Sequence, residues 1–336
     1  MEPLIQAEHV SHVFDVGGGW LRAGRQLRAV DDVSLAIPAG TTVALVGESG
    51  SGKSTLGRIL LRLLVPSVGS IRYRGEDVAE LRGERWRAFR RDVQVVFQDS
   101  GAAFNARKTI GASVGVPLHH NLGLRGRAVR ERAAELLSRV GLEPTIFLDR
   151  YPHELSGGQR QRAGVARAIA SEPRFVVADE PVSALDVSVR AQVLRLMRDL
   201  QREPGELAYL LITHDLGVVR AMADVVQVMY LGAIAERGPA AALFMAPGHP
   251  YTRALLAATP VPDPQRRSAA RVATGTLHGE IPAATEVPSG CRFHTRCPHV
   301  QDVCRATPPA WVTFEDGLES ACHFADEIRR LAPVAG

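Results

Sequence analysis

The apolar residues of this chain fall into short continuous runs and helical stripes separated by glycine and proline. The run Thr42-Val43-Ala44-Leu45-Val46 predicts a buried strand, and Lys53 to Leu64 predicts a helix with Leu56, Ile59, Leu60, Leu63 and Leu64 on one face. Alternation around Val10, Val13 and Phe14, and again at Val30, Val33, Leu35 and Ile37, predicts short antiparallel strands. They flank a glycine-rich insert that runs from Gly17 to Gly24 and contains Trp20. Strands are expected over 69–73 and 92–97, on either side of a charged helix over 83–90. Residues 127–140 place Val129, Ala133, Leu136, Leu137 and Val140 at helical spacing and stop at Gly141. A further helix opens after Leu155 and carries Ala163, Val165, Ala166, Ala168 and Ile169; 174–180 and 209–212 read as buried strands. Buried strands interleaved with helices make the chain α/β.

The chemistry gathers first at Gly47-Glu48-Ser49-Gly50-Ser51-Gly52-Lys53-Ser54-Thr55, between the first buried strand and its helix. Glycines there let backbone N–H groups turn inward around phosphate oxygens, and the helix N-terminus adds its positive dipole end. Lys53 is expected to reach the β/γ-phosphates and the Ser54 hydroxyl to ligate Mg²⁺. Gln98 follows a strand, where ligands collect in an open α/β sheet, so it is placed to meet Mg²⁺ and the attacking water. Asp179 closes an apolar strand and is expected to hold the Mg²⁺ shell, and Glu180 to polarise a water aimed at the γ-phosphate. His214, just after another strand, could hydrogen-bond that phosphate. Ser156, Gly157, Gly158 and Gln159 open a helix and read either as a second anion-binding N-terminus or as a plain N-cap. Phe14 offers a stacking face for adenine, as does Trp20.

Taken together, Leu155 to Gln159 resembles the signature motif of the ATP-binding-cassette (ABC) ATPases. Arg174 to Glu180 resembles their Walker B strand, Ser183-Ala184-Leu185-Asp186 the D-loop, Ile212-Thr213-His214-Asp215 the switch histidine, and Gln98 the Q-loop glutamine. The resemblance implies a RecA-like parallel-sheet core, an antiparallel β subdomain and a helical subdomain near 99–165. It also implies that the signature residues cover ATP held by a second ATPase subunit. Within the family, Glu48 to Arg58, Asp179 to Ser188 and His249 to Leu256 are similar to the ATPase subunits of dipeptide and oligopeptide importers, most of all the F-type subunit. The partners then implied are two membrane permease subunits, a D-type ATPase or a second copy of the chain, and indirectly an extracytoplasmic solute-binding protein. Close relatives also handle nickel or sugars, and other ABC ATPases act on nucleic acid or ribosomes. Ser100, and Asn105-Ala106-Arg107, depart from the family pattern in a segment that faces the membrane subunits.

Length and composition fit this picture. The 336 residues are 46% hydrophobic and 23% charged, as in ordinary globular proteins. A formal charge of +4 without a dense Lys/Arg block does not imply nucleic acid. The first residues lack a secretory pattern, and no apolar run approaches the roughly 18 to 20 residues that cross a bilayer. The expected location is the cytoplasmic face of the cell membrane, reached through the permease subunits. Residues 1–260 are expected to form the nucleotide-binding domain and 261–336 a proline-rich C-terminal extension. The extension holds Cys291, Cys297, Cys304 and Cys322 at C-x5-C-x6-C-x17-C spacing. In a reducing compartment such crowding favours a thiolate metal site over disulfides, either Zn²⁺ or [4Fe–4S], with four unliganded thiols as the remaining reading. Resemblance to the peptide-importer extension implies the iron–sulfur cluster.

Overall fold

The computed structural model describes residues 2–17, 25–98, 104–183, 185–258, 280 and 282–331. Trp20, Ala184 and the domain boundary expected near 260 lie outside the described residues. The chain divides into two compact units: Met1–Gln6, Ala36–Thr42 and Arg72–Ile212 form the first, and Ala7–Leu35, Val43–Ile71 and Thr213–Gly336 the second.

The first unit contains three parallel strands in the order Val93–Val96, Phe175–Asp179 and Ala208–Thr213, with Val93 opposite Phe175 and Phe175 opposite Ala208. Phe175, Val176, Val177 and Ala178 are buried in succession, as are Leu210, Leu211 and Ile212. Unbroken burial is the mark of parallel strands covered on both faces, and it explains why these runs do not alternate. The helices Ile110–Leu122, Arg127–Arg139 and Gly157–Ile169 pack on one another. The first two approach so closely at Gly115 that a Cβ there would lie 2.6 Å from Val129 Cγ1. The amphipathic helix expected over 127–140 is thus present, and its stripe Ala133, Leu136 and Leu137 is wholly buried.

In the second unit, Thr42–Val46 runs parallel to Val225–Tyr230, with Val43 opposite Val225. Ala233–Pro239 pairs antiparallel with that strand, followed outward by the short strands Glu319–Ser320 and Val312–Thr313. The proline-rich C-terminal stretch therefore contributes strands to this sheet. It also buries a small core of Cys322, Ala325 and Ile328 against Val312, Phe314 and Phe324.

The phosphate-loop helix spans Lys53–Leu60 and is shorter than its apolar stripe suggests. Arg62 turns left-handed at φ 52°, and the Leu63 N–H donates back to the Arg58 carbonyl at 2.8 Å. This six-to-one bond is the Schellman stop of a helix, and it leaves Leu63 half exposed. None of the helices among the described residues is long and apolar enough to cross a membrane.

Candidate functional site

The residues singled out from the sequence divide between the two units. The second unit holds Gly47 to Thr55 and His214; the first holds Gln98, Ser156 to Gln159, Asp179 and Glu180.

The loop Gly47–Gly52 connects a fully buried strand to a helix, and two of its glycines are required by close approach. Gly47 has φ 154°, and a Cβ there would stand 2.2 Å from the Met229 carbonyl oxygen. Gly52 has φ 104°, and its Cβ would stand 2.0 Å from the Ala29 carbonyl oxygen. Any side chain at either position would push the loop off its wall. Ser49 and Gly50 are exposed at the tip, Ser51 is buried, and Ser54 and Thr55 sit half-buried in the first helical turn. No side chain caps that turn at Gly52. Lys53 is buried, and its Nζ donates to the carbonyls of Gly47 at 2.8 Å and Glu48 at 2.7 Å and to Ser51 Oγ at 3.2 Å. An ammonium folded into a glycine cradle gives the loop the form and charge that a triphosphate requires. ATP and its Mg²⁺ therefore fit the residues present.

His214 is exposed directly after the strand Ala208–Thr213. Asp215 fixes the turn behind it: its carboxylate accepts from the N–H groups of Gly217 at 2.9 Å and Val218 at 3.3 Å, capping the helix Leu216–Met222.

In the first unit, Asp179 ends its strand and Glu180 follows in a left-handed conformation, φ 49°. Gln98 is exposed two residues beyond Val93–Val96. Ser156 caps the helix Gly157–Ile169 in a reciprocal box: Ser156 Oγ accepts from the Gln159 N–H at 3.3 Å, and Gln159 Oε1 accepts from the Ser156 N–H at 2.9 Å. Within the chain, then, the N-cap reading of Ser156 holds. Ser156 and Gly157 remain exposed, while Gly158 is buried so tightly that a Cβ would meet Val189 Cγ1 at 2.4 Å. In the second unit, Phe14 is half-buried, with the His12 ring against it edge to face at 4.5 Å.

The expected metal site on the four cysteines is overturned. Among the described residues no group of three or more His, Cys, Asp or Glu side chains could hold a metal ion. Cys304 and Cys322 are buried, and Cys291 and Cys297 are half-buried. Burial pushes the thiols of Cys291, Cys297 and Cys322 upward, Cys297 to about 11 and Cys322 to about 12. Both the [4Fe–4S] and the Zn²⁺ expectations are withdrawn.

One set of residues around the loop was not evident beforehand. The Glu48 carboxylate is gripped by Arg296 through Nη1–Oε2 at 2.7 Å and Nη2–Oε1 at 3.0 Å, and the Glu48 N–H donates to the Tyr251 hydroxyl at 2.8 Å. No spacing signal links residues so far apart in the chain.

These halves carry the parts of a nucleotide-hydrolysing cassette, and comparison with known proteins agrees. Residues 30–183 match the ABC transporter family and 235–304 match the oligopeptide/dipeptide transporter C-terminal region. A probable peptide ABC transporter ATP-binding protein of Sinorhizobium fredii is 48% identical over 96% of this chain and 90% of its own length. The di/tripeptide transport ATP-binding protein DppF of Pseudomonas aeruginosa is 44% identical over 98% of this chain and 99% of its own length. The ATP-binding cassette MJ0796, in a dimeric post-hydrolysis state bound to ADP and Pi, superposes with a TM-score of 0.62 at 29% identity, covering 70% of this chain and 98% of that one. The chain belongs to the ABC transporter ATP-binding proteins of the oligopeptide/dipeptide importer family. It is an ATPase with the α/β cassette fold.

Proposed function

We propose that this chain is the F-type ATPase subunit of a peptide importer, working at the cytoplasmic face of a membrane with two permease subunits and a second ATPase. The reading rests on one observation above others: likeness to peptide-transport ATP-binding proteins runs through both the cassette and the C-terminal region. We further propose residues 1–260 as the nucleotide-binding domain, with its helical subdomain near 99–165, and 261–336 as the importer-type extension.

The glycine-loop amides and Lys53 would hold the β- and γ-phosphates, and Phe14 would stack on the adenine. Ser54, Gln98 and Asp179 would hold Mg²⁺, which when bound draws negative charge from the phosphates. Glu180 would accept a proton from the attacking water, and His214 would orient the γ-phosphate. Ser156 and Gly157, exposed at the start of a helix, suit a role facing nucleotide on the partner ATPase, a dimeric arrangement also named for MJ0796. A cavity of about 490 Å³ in the first unit, lined by Gln94, Asn105, Lys108, Val116, His120 and Arg167, lies in the segment that would meet a permease.

The test is copurification of the tagged full chain from its native membranes, followed by peptide-stimulated ATPase assay in vesicles. Recovery of two permeases and a second ATPase, with hydrolysis raised by a peptide-loaded binding protein, is the expected result. Recovery of ribosomal or DNA-bound partners without a permease would refute the transport role.

A further inference from the structure

Glu48 occupies the second position of the phosphate loop, and each of its polar groups is engaged. Its carboxylate is held by both terminal nitrogens of Arg296, its N–H by the Tyr251 hydroxyl, and its carbonyl by Lys53 Nζ at 2.7 Å. The bidentate geometry matters because it fixes the carboxylate in plane as well as in distance. Both partners are shielded: the Arg296 side chain is 7% exposed and that of Glu48 24%.

Arg296 is itself held by the C-terminal region. Its N–H donates to the Phe293 carbonyl at 3.0 Å, and Phe293 is almost fully buried. The Phe293 ring packs edge to face on Tyr230 and lies 5.3 Å from the Tyr251 ring. Four residues earlier in the same turn, Arg292 binds the Asp31 carboxylate and donates to the Leu231 carbonyl at 2.5 Å. Next to it, the Gly232 N–H donates to the Ser51 carbonyl of the phosphate loop at 3.0 Å. The turn 291–297 is thus anchored to the strand end that walls the loop, and Arg296 extends from it to the loop itself.

The geometry points to Arg296 and Tyr251 as positioning residues for nucleotide binding, through which the C-terminal region sets the conformation and charge of the phosphate loop. The inference rests on the phosphate-loop reading given above. Arg296 acts through Glu48 and has no need to reach the nucleotide. A carboxylate beside a site for a triphosphate repels it unless neutralised, and Arg296 supplies the neutralising charge. Truncating Arg296 would leave that carboxylate half-buried, unpaired and facing the incoming phosphates.

The charge argument makes the proposal testable by rescue. Equilibrium binding of a fluorescent ATP analogue, and ATP turnover, would be measured on the full chain carrying Arg296→Gln, Glu48→Gln, both together, Arg296→Lys and Tyr251→Phe. Arg296→Gln is expected to weaken analogue binding and raise the KM for ATP on the order of 10- to 100-fold, the scale on which residues behind a ligand act. The fall in kcat should be smaller. Adding Glu48→Gln should recover most of the loss, because no carboxylate is then left unpaired, and Arg296→Lys should recover part of it. Tyr251→Phe, which deletes one acceptor and keeps the packing, should weaken binding less than Arg296→Gln does. Unchanged analogue binding in a folded Arg296→Gln, or a double variant no better than the single, would overturn the proposal. A parent chain that binds no analogue would overturn the phosphate-loop reading and this inference with it.

Discussion

The backbone N–H of Glu180 donates to the Ile212 carbonyl at 2.8 Å while Glu180 itself stands in the left-handed region at φ 49°. A non-glycine residue pays conformational energy there, and strain held by a neighbouring strand is often found at functional positions. Here it turns the chain immediately after Asp179, so that the two adjacent carboxylates do not simply alternate as they would along a strand. Continuation of the strand past Asp179 would direct Glu180 back into the sheet pattern, whereas the turn gives it an orientation of its own.

The tight contact under the signature helix yields a packing prediction. Gly158→Ala places a methyl group 2.4 Å from Val189 Cγ1, at a buried position on the helix Gly157–Ile169. Overpacking of this kind costs about 1–3 kcal/mol. The variant should unfold at lower urea concentration, and Val189→Ala in the same chain should restore much of the loss. A Gly158→Ala chain as stable as the parent would show that the helix adjusts freely.

Stability should vary with pH through Glu236 and His249, both buried. Burial pushes Glu236 from its ordinary 4.5 up to about 8, although it accepts from the Gly248 N–H at 2.5 Å. The folded chain therefore keeps a proton that the unfolded chain releases, and stability falls as pH rises between about 4.5 and 8. Burial lowers His249 from 6.5 to about 4, so that stability falls as pH drops through that range. The two effects oppose one another below about 6.5, and Glu236 acts alone above it. Urea unfolding should show a loss from pH 6.5 to 8 of at most about 1.4 kcal/mol per pH unit. Glu236→Gln should flatten that slope, and an unaltered slope would place its cause elsewhere.

With thiols raised by burial to about 11 at Cys297 and about 12 at Cys322, few thiolates exist at pH 8. Native protein should react with iodoacetamide far more slowly than free cysteine, and urea should expose all four groups. Rapid alkylation of Cys297 in the folded chain would contradict this.

What could be read from the sequence was what is local. The strand, loop and helix around Lys53 form a single continuous segment, so its motif stands whole in the sequence, although the carbonyls that require glycine at Gly47 and Gly52 belong to Met229 and Ala29, outside that segment. Ser156 and Gln159 likewise sit within one turn. Reading failed at the four cysteines: their crowding in sequence suggested a metal site, yet among the described residues no group of three or more His, Cys, Asp or Glu side chains could hold one, and Cys322 packs in a small apolar core with Ala325 and Ile328. It also failed at the end of the phosphate-loop helix, because an apolar stripe continues through Leu63 while Arg62 turns left-handed and stops the helix. The bond from Arg296 to Glu48 spans 248 residues and carries no periodic or motif signal.

In the mechanism proposed for this chain, Glu180 is the base that activates the water attacking ATP. The most direct test is single-turnover and steady-state ATP hydrolysis by Glu180→Gln beside the parent, with nucleotide binding measured on the same samples. The substitution keeps the shape of the side chain and removes its basicity, so ATP binding should persist while hydrolysis falls roughly 10²- to 10⁴-fold, the span of general-base catalysis. Parent-level turnover by the variant, with ATP bound equally well, would remove Glu180 from catalysis and contradict the mechanism.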